Sequence, residues 1–389
     1  MTAPQYLGGA GERGRLIIVD EEVVLWAYRL ILGREPEAPE TAAQIARDAL
    51  SVSQLRRAFF ESPEFQAKNG YGLRETGRFE SHSATGPRIT IISNCQGPEI
   101  ARHLASMTGA AVIGRDVTAF RPELLDGWMR DCETADHIVA APLSGLFEGL
   151  RVAQLKERFP GKVVTLSPVH FLGLFPDILA LGPMSARLQG PMAEHSGLAL
   201  YGFLSGLSVA ECVALFRDET YERFGYYASW ASSQAEFYER EKTADIRIAD
   251  EFFGRVTHEP LLLTHNHPTT ITFAMICRKL CSLLGIQCQT IPAGLGSTVQ
   301  ASMPTWPLYD EVARHHAIRY RSTQLFVREQ EAYDLPTFVR RSYEVYARAG
   351  SEAMLVSLER CNASWRRAHP WIASVLEGRP PSAESEPSH

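Results

Sequence analysis

Several features are missing from this 389-residue chain, and each absence removes a class of function. No apolar run approaches the ~20 residues that a membrane-spanning helix needs, so no transmembrane segment is expected. The opening stretch, MTAPQYLGGAGERGRL, has no apolar centre of the kind a secretory leader carries, which points to a cytoplasmic protein. Basic runs are short and the net charge is -6, so nucleic acid and anionic membrane surfaces are not expected partners. The seven cysteines (Cys95, Cys132, Cys212, Cys277, Cys281, Cys288 and Cys361) are odd in number and lack the close pairing of a zinc site or disulfide framework, so they read as reduced thiols. No internal repeat is visible.

What remains is an ordinary globular composition, 45% hydrophobic and 22% charged, in a chain too long for one hydrophobic core. Residues 1–72 read as a small helical unit. EEVVLWAYRLILGR sets Val24, Tyr28, Ile31 and Leu32 on one face before Gly33, PETAAQIARDAL opens with Pro and Glu, and SVSQLRRAFFESPEF groups Leu55, Phe59 and Phe60. Residues 73–87, polar and aperiodic, read as a linker. Residues 88–321 then alternate short β-branched or apolar runs (ITIIS, AAVIG, HIVAA, KVVTLS, LLLT, QCQTI) with helical patterns, which predicts an α/β unit around a mostly parallel sheet. Gly197 to Phe253 reads as a helical insertion, and Ser208 with Glu211 matches a capping box. Residues 322–375 read as a helical extension, and 376–389 as a disordered tail.

The chemistry-bearing residues cluster at the ends of predicted strands. In RITIISNCQGPEIARHLASMTG, a β-branched run stops at Ser93-Asn94-Cys95-Gln96-Gly97 and a helix begins near Pro98. Cys95 thus lies at the carboxyl edge of the sheet, where open α/β folds place ligands, and beside a helix N-terminus that favours a thiolate. The plain alternative is a small buried thiol. A cysteine phosphatase is excluded, because the arginine it needs six residues on is replaced by Ala101. A base for Cys95 is available in LLLTHNHPTT, where His265 and His267 follow an apolar run. The same pair could bind a metal with His170, His258 or a carboxylate, or could be two solvated loop histidines; no carboxylate stands at a recognisable spacing, and no metal is expected. APLSG, with Ser144, and SPVHFLGLFPD, with Gly173 and Asp177, follow further strands and could donate backbone N–H groups to a ligand, or be ordinary Pro/Gly loops.

Taken in order, SNCQ, ADHIVAAPLSG, FLGLFPD, LALYGFLSGLSVAEC and HNHPT resemble the motifs of the WcbI-type polysaccharide biosynthesis family, over roughly Arg88 to Ala317. That resemblance implies a three-layer α/β sandwich akin to the SGNH hydrolases, coenzyme A binding, and acetyl transfer from acetyl-CoA to a sugar of a capsular polysaccharide. Motif by motif it points to Cys95, His267 and Asn94 for catalysis, favouring His267 over His265, and to Gln96, Gly173 and Asp177 for binding, with Ser93 standing where the family usually has glycine; Ser144 and His265 join the binding candidates by position alone. An SGNH enzyme carries Asp three residues before its histidine, whereas here Thr264 precedes His267 at that distance, so a Cys–His dyad without an orienting carboxylate is the expectation. The amino-terminal unit is similar to small bacterial helical domains with a Leu-Gly-Arg turn and a closing Ser-x-Glu-Phe, and is expected to dock a protein partner. The function expected is CoA-dependent acyl transfer to a sugar or glycan acceptor. The alternatives are a glycan esterase using the same residues and a non-catalytic glycan-assembly protein.

Overall fold

The computed structural model describes residues 19–32 and 34–48 with 55, 58, 59, 62 and 64 in one compact unit, and 77–83, 86–142, 147–182, 187–290, 304–328, 331–361 and 363–377 in a second. In the first unit, α1 (Glu21–Ala27) is capped by the Asp20 carboxylate and runs into a wider π turn, Tyr28–Leu32; α2 (Pro39–Asp48) follows. Val24, Tyr28, Leu32, Leu55 and Phe59 share its core, as their helical spacing predicts. Arg34 of the Leu-Gly-Arg turn grips Glu64 of the Ser-x-Glu-Phe segment with its Nε, 2.7 Å from Oε1, so the two halves of that pattern meet in one ion pair.

The second unit is built on a five-stranded sheet. Its strands are β1 (Arg78–Glu80), β2 (Arg88–Ser93), β3 (Ala111–Asp116), β4 (His137–Ala140) and β5 (Val163–Thr165), in the order β1-β3-β2-β4-β5. All pairs are parallel except β1 with β3. Helices α3 (Gln96–Thr108), α4 (Leu125–Thr134) and α5 (Val152–Arg158) make the crossovers. Period-two alternation divides β2 between two cores. Ile89 and Ile91 pack with Ile100, Leu104 and Met107 of α3, whereas Ile92 packs with Trp128, Met129 and Cys132 of α4 and Leu155 of α5. Helices therefore cover both faces of a mostly parallel sheet, as predicted. The chain reverses its direction of winding between β2 and β4, so the loops leaving these strands diverge and open a crevice at their carboxyl ends.

Some expectations are corrected. Arg78–Glu80, assigned to a linker, forms the antiparallel edge strand, with Glu80 opposite Ile113. LLLT does form a strand, β6 (Leu262–Thr264), but it pairs antiparallel with β7 (His267–Pro268) outside the main sheet. Beside β5 the chain instead carries a single parallel bridge, Leu166 to Ile246. Residues 286–290, the described part of the QCQTI region, form no strand. The insertion is helical as expected, through α6 (Gly197–Leu204), α7 (Val209–Val213), α8 (Asp218–Arg223), α9 (Ser229–Glu241) and α10 (Ala249–Arg255), and the Ser208–Glu211 capping box is formed. α11 (Thr270–Leu284) then packs along α3. The carboxyl-terminal region opens with a hairpin, Phe326–Arg328 with Glu331–Tyr333, and its helices send Phe338, Tyr346, Leu358 and Trp371 into the same core as the sheet. It is part of the unit's core rather than an appendage. Residues 378–389 of the expected tail lie outside the described residues.

The approach of α3 to β3 fixes where the cysteine turn sits. A Cβ on Gly97 would lie 2.6 Å from the Arg115 carbonyl oxygen, and one on Gly114 would lie 2.8 Å from the Gly97 carbonyl oxygen. Backbone cannot yield as a side-chain tip can, so Gly97→Ala should cost about 1–3 kcal/mol, read as a shift in the urea midpoint at unchanged slope. A chain beginning at Gly77 should keep β1 and melt as the full second unit does. One beginning at Thr85 should melt lower, because it strips the partner from β3; equal melting of the two would show that β1 adds nothing.

Candidate active site

Asn94 and Cys95 make the turn from β2 into α3. The Asn94 side-chain oxygen accepts the Gln96 N–H at 3.1 Å, and its backbone carbonyl accepts the Gly97 N–H at 2.8 Å. These bonds satisfy the opening donors of the helix, and Pro98 has none to offer. Cys95, the residue before the first helical one, makes no side-chain cap and is half-buried. Its thiol is pushed up to about 12, first by burial and then by the Asp116 and Glu194 carboxylates, with its own backbone N–H pulling the other way. The expected lowering by the helix N-terminus does not prevail, because burial disfavours the thiolate most and the negative charges of Asp116 and Glu194 add to it. Cys95 rests as a protonated thiol.

Gln96 brings the cysteine turn to the histidine segment. Only 1% exposed, it donates through Nε2 to the carbonyls of Val169 (2.8 Å) and Asn266 (2.9 Å), and its Oε1 accepts the Val169 N–H at 3.0 Å. Every polar atom of this amide is held by backbone, so Gln96, read as a ligand-binding residue, instead aligns loops. A second tie runs beside it, the Phe171 N–H to the His265 carbonyl at 2.8 Å.

The two histidines part company at the β6–β7 turn. His267 is half-buried, and its Nδ1 lies 2.7 Å from the Thr264 hydroxyl, which is also 3.2 Å from the Asn266 side-chain oxygen. With the hydroxyl proton directed to Asn266, Thr264 accepts an Nδ1–H and leaves Nε2 of His267 with its lone pair. Burial holds this imidazole down to about 4, so it is neutral at pH 7. Thr264 stands three residues before His267, where an SGNH enzyme has its Asp, so a hydroxyl takes the place at Nδ1 that the sequence pattern reserves for a carboxylate. His265 is 3% exposed, packed edge-on against His170 (5.0 Å) and Trp365 (5.3 Å), with Nδ1 unpartnered; burial keeps it far below the usual imidazole range. Among the described residues no three His, Cys, Asp or Glu side chains are grouped to hold a metal.

The remaining sequence candidates fall elsewhere. Gly173 is buried, and a Cβ there would meet the Phe171 ring at 2.4 Å, so its lack of a side chain serves packing. Asp177 is fully buried. Its Oδ1 accepts the Leu198 N–H at the start of α6 (2.9 Å) and the Tyr226 hydroxyl (2.8 Å), and its Oδ2 accepts the Tyr309 hydroxyl (3.1 Å). Burial raises its carboxyl to about 6 against these bonds. Both of its oxygens are taken by protein donors, which makes it a structural hub rather than a ligand contact. Ser144 lies outside the described residues.

A thiol near 12 and an imidazole near 4 do not exchange a proton at rest, so Cys95 and His267 do not form a resting thiolate–imidazolium pair. Alkylation of Cys95 by iodoacetamide, followed on its own peptide by mass spectrometry, should be slow at pH 7 and rise about tenfold per pH unit beyond pH 9. A rate plateau near neutrality would return control of the thiol to the helix N-terminus.

A solved structure of WcbI, described as a novel polysaccharide biosynthesis enzyme in its native form without a disulfide bond between CoA and one of its cysteines, matches with a TM-score of 0.61 at 14% identity, covering 75% of this chain and 99% of that chain. At that identity the likeness shows the fold. No curated protein matches the chain. The profile of the family described as polysaccharide biosynthesis enzyme WcbI matches residues 88–289, a span that holds both the cysteine turn and the histidine segment. The chain belongs to the WcbI family of polysaccharide biosynthesis enzymes.

Proposed function

We propose that this protein transfers an acyl group, acetyl in the first instance, from CoA to a sugar hydroxyl during synthesis of a capsular or other surface polysaccharide, on an SGNH-like three-layer scaffold. The observation that carries the reading is the Gln96 clamp, which joins the turn bearing Cys95 to the segment bearing the Thr264-oriented His267. The description of the solved relative, a native form without a disulfide bond between CoA and a cysteine, names the same two partners and supports the reading. In this chain Cys95 is a half-buried thiol on the carboxyl-edge turn.

Nε2 of His267 takes the Cys95 S–H proton as sulfur attacks the thioester carbonyl; CoA leaves as its thiolate and receives that proton. A sugar O–H then gives its proton to His267 as its oxygen attacks the thioester on Cys95, and the departing Cys95 sulfur is reprotonated. The Asn94 amide N–H holds the developing oxyanion while its oxygen caps α3. The resting protonation of Cys95 favours a second reading, in which the sugar attacks bound acyl-CoA directly, His267 is the base and Cys95 shapes the pocket. The amino-terminal unit is proposed to dock a protein partner.

Millimolar CoA should raise the melting temperature, and a hundredfold excess over Kd corresponds to about 2.7 kcal/mol. Cys95→Ala and His267→Ala should each slow transfer by about a thousandfold, with the double variant little worse than either. Intact mass after mixing with acetyl-CoA, without acceptor, separates the two routes. An acetyl adduct on Cys95 supports the covalent one, whereas no adduct together with an active Cys95→Ala variant leaves direct attack. Absence of a CoA shift, with release of acetate from acetylated glycans, would make the protein an esterase.

A further inference from the structure

Two arginines near the candidate site have no anion to hold. Arg187 lies on a segment that folds back on itself: the Leu188 N–H donates to the Leu181 carbonyl at 3.1 Å, and Gly190 and Ala193 exchange backbone bonds of 3.0 and 3.1 Å around a tight turn. Ala193 closes that turn at φ 69°, the left-handed region that a side chain disfavours, and Glu194 follows it. Strain of this kind persists where position matters, and here it sets Glu194, whose negative charge acts on Cys95. Arg328 comes from another part of the chain. Its neighbour Val327 exchanges backbone bonds of 2.7 and 2.9 Å with Thr305, and the Trp306 N–H donates to the Leu263 carbonyl of β6 at 2.8 Å. Arg328 therefore stands one segment away from the strand that leads into His265 and His267.

The charges of Arg187 and Arg328 both act on Glu194, and that of Arg187 also acts on His265. Arg187 thus spans the cysteine side and the histidine side of the site. Both arginines are half-buried, the Arg187 Nε is shielded without a hydrogen-bond partner, and among the described residues neither guanidinium makes a hydrogen bond or ion pair. Other arginines shielded from solvent are engaged: Arg115 with Asp131 (2.9 Å), Arg255 with Glu259 (3.0 Å) and Arg240 with the His170 carbonyl (2.7 Å). A guanidinium drawn out of water needs such a partner. Two guanidinium groups against the one Glu194 carboxylate leave a single positive charge in excess. Asp116, the other carboxylate acting on Cys95, is engaged by the Thr118 N–H (2.8 Å) and hydroxyl (2.7 Å). One excess charge matches a carboxylate better than a doubly charged phosphate, and the guanidinium fork fits the two carboxylate oxygens. CoA carries its phosphates at the far end of the pantetheine arm from its sulfur, and acyl transfer requires that sulfur at Cys95 and His267. An anion beside Glu194 and His265 therefore belongs to the acceptor.

We propose that Arg187 and Arg328 form a carboxylate-binding subsite beside Cys95 and His267 that selects a uronic acid, or another sugar bearing a single carboxylate, as the acyl acceptor. The choice of acceptor over CoA rests on the acyl-transfer reading. Saturation-transfer NMR of the full chain with glucuronate, methyl α-glucopyranoside and glucose 1-phosphate tests it. Glucuronate should show transfer and the neutral glucoside little, with glucuronate affinity lowered about tenfold in Arg187→Gln and in Arg328→Gln. The CoA melting shift should be unchanged in both variants. Arg328→Gln alters a half-exposed side chain that has no partner to lose, so it keeps a folded readout even where Arg187→Gln melts lower. No transfer to glucuronate, equal transfer to the neutral glucoside, or equal glucuronate binding in the parent and both variants overturns the proposal. A preference for glucose 1-phosphate, or loss of the CoA melting shift in either variant, overturns it by assigning the arginines to a phosphate. Arginine-dependent glucuronate binding by a chain that shows no CoA shift would count against acyl transfer and leave the subsite standing.

Discussion

The site depends on one buried amide. Gln96 stands next to Cys95, yet its side chain turns inward to hold Val169 on the segment after β5 and Asn266 between the two histidines. These segments are far apart in the chain, so each bond sets the register of a loop that no local preference fixes. A fully partnered buried amide is specific because any slip leaves polar groups unpaired where water cannot reach them. The segment that bears His267 is therefore tied to the cysteine turn by the residue next to Cys95, through the carbonyl of Asn266.

Burial also governs the charge state of the interior. His170, His195, His267, His316 and His369 are all drawn down to about 4, and Cys95 is pushed up, so the groups that could form a resting thiolate–imidazolium pair are both held neutral. These imidazoles titrate lower in the folded than in the unfolded chain, so the stability they contribute is present above the ordinary histidine range near 6.5 and is lost as pH falls towards 4. Asp177, raised to about 6, acts in the opposite direction across much of the same window. The thiol then resembles a serine hydroxyl: inert until a base removes its proton in the bond-forming step. That is the chemistry a neutral imidazole oriented by a hydroxyl can serve.

Much of this architecture was legible because it is local. The alternation in RITIIS, the capping box at Ser208 and the helical spacing around Val24 each reflect a period that one element imposes on its own residues. What failed was non-local. Arg78–Glu80 looks like a linker because three residues show no period, and only pairing with β3 makes them a strand. LLLT has strand composition, but nothing within it says which strand it joins. Cys95 could be singled out by residue type and position, and Asn94 and the choice of His267 over His265 by resemblance to the family's motifs. The roles of Gln96, Asp116 and Glu194 could not, because each depends on a neighbour brought by the fold.

Asp177 shows how a motif can mark a scaffold as readily as a site. Its oxygens collect a backbone N–H from α6 and hydroxyls from Tyr226 and Tyr309, three parts of the chain that share no local pattern. Through Asp177, Tyr309 is joined to the segment whose earlier residues, Val169 and Phe171, bond to Gln96 and His265. Buried hydrogen bonds and one short chain segment thus link the tyrosines around Asp177 to the loops that carry Cys95 and His267. If one of these loops shifted alone it would leave buried polar groups unpaired, so Asp177 serves the candidate site by holding its scaffold.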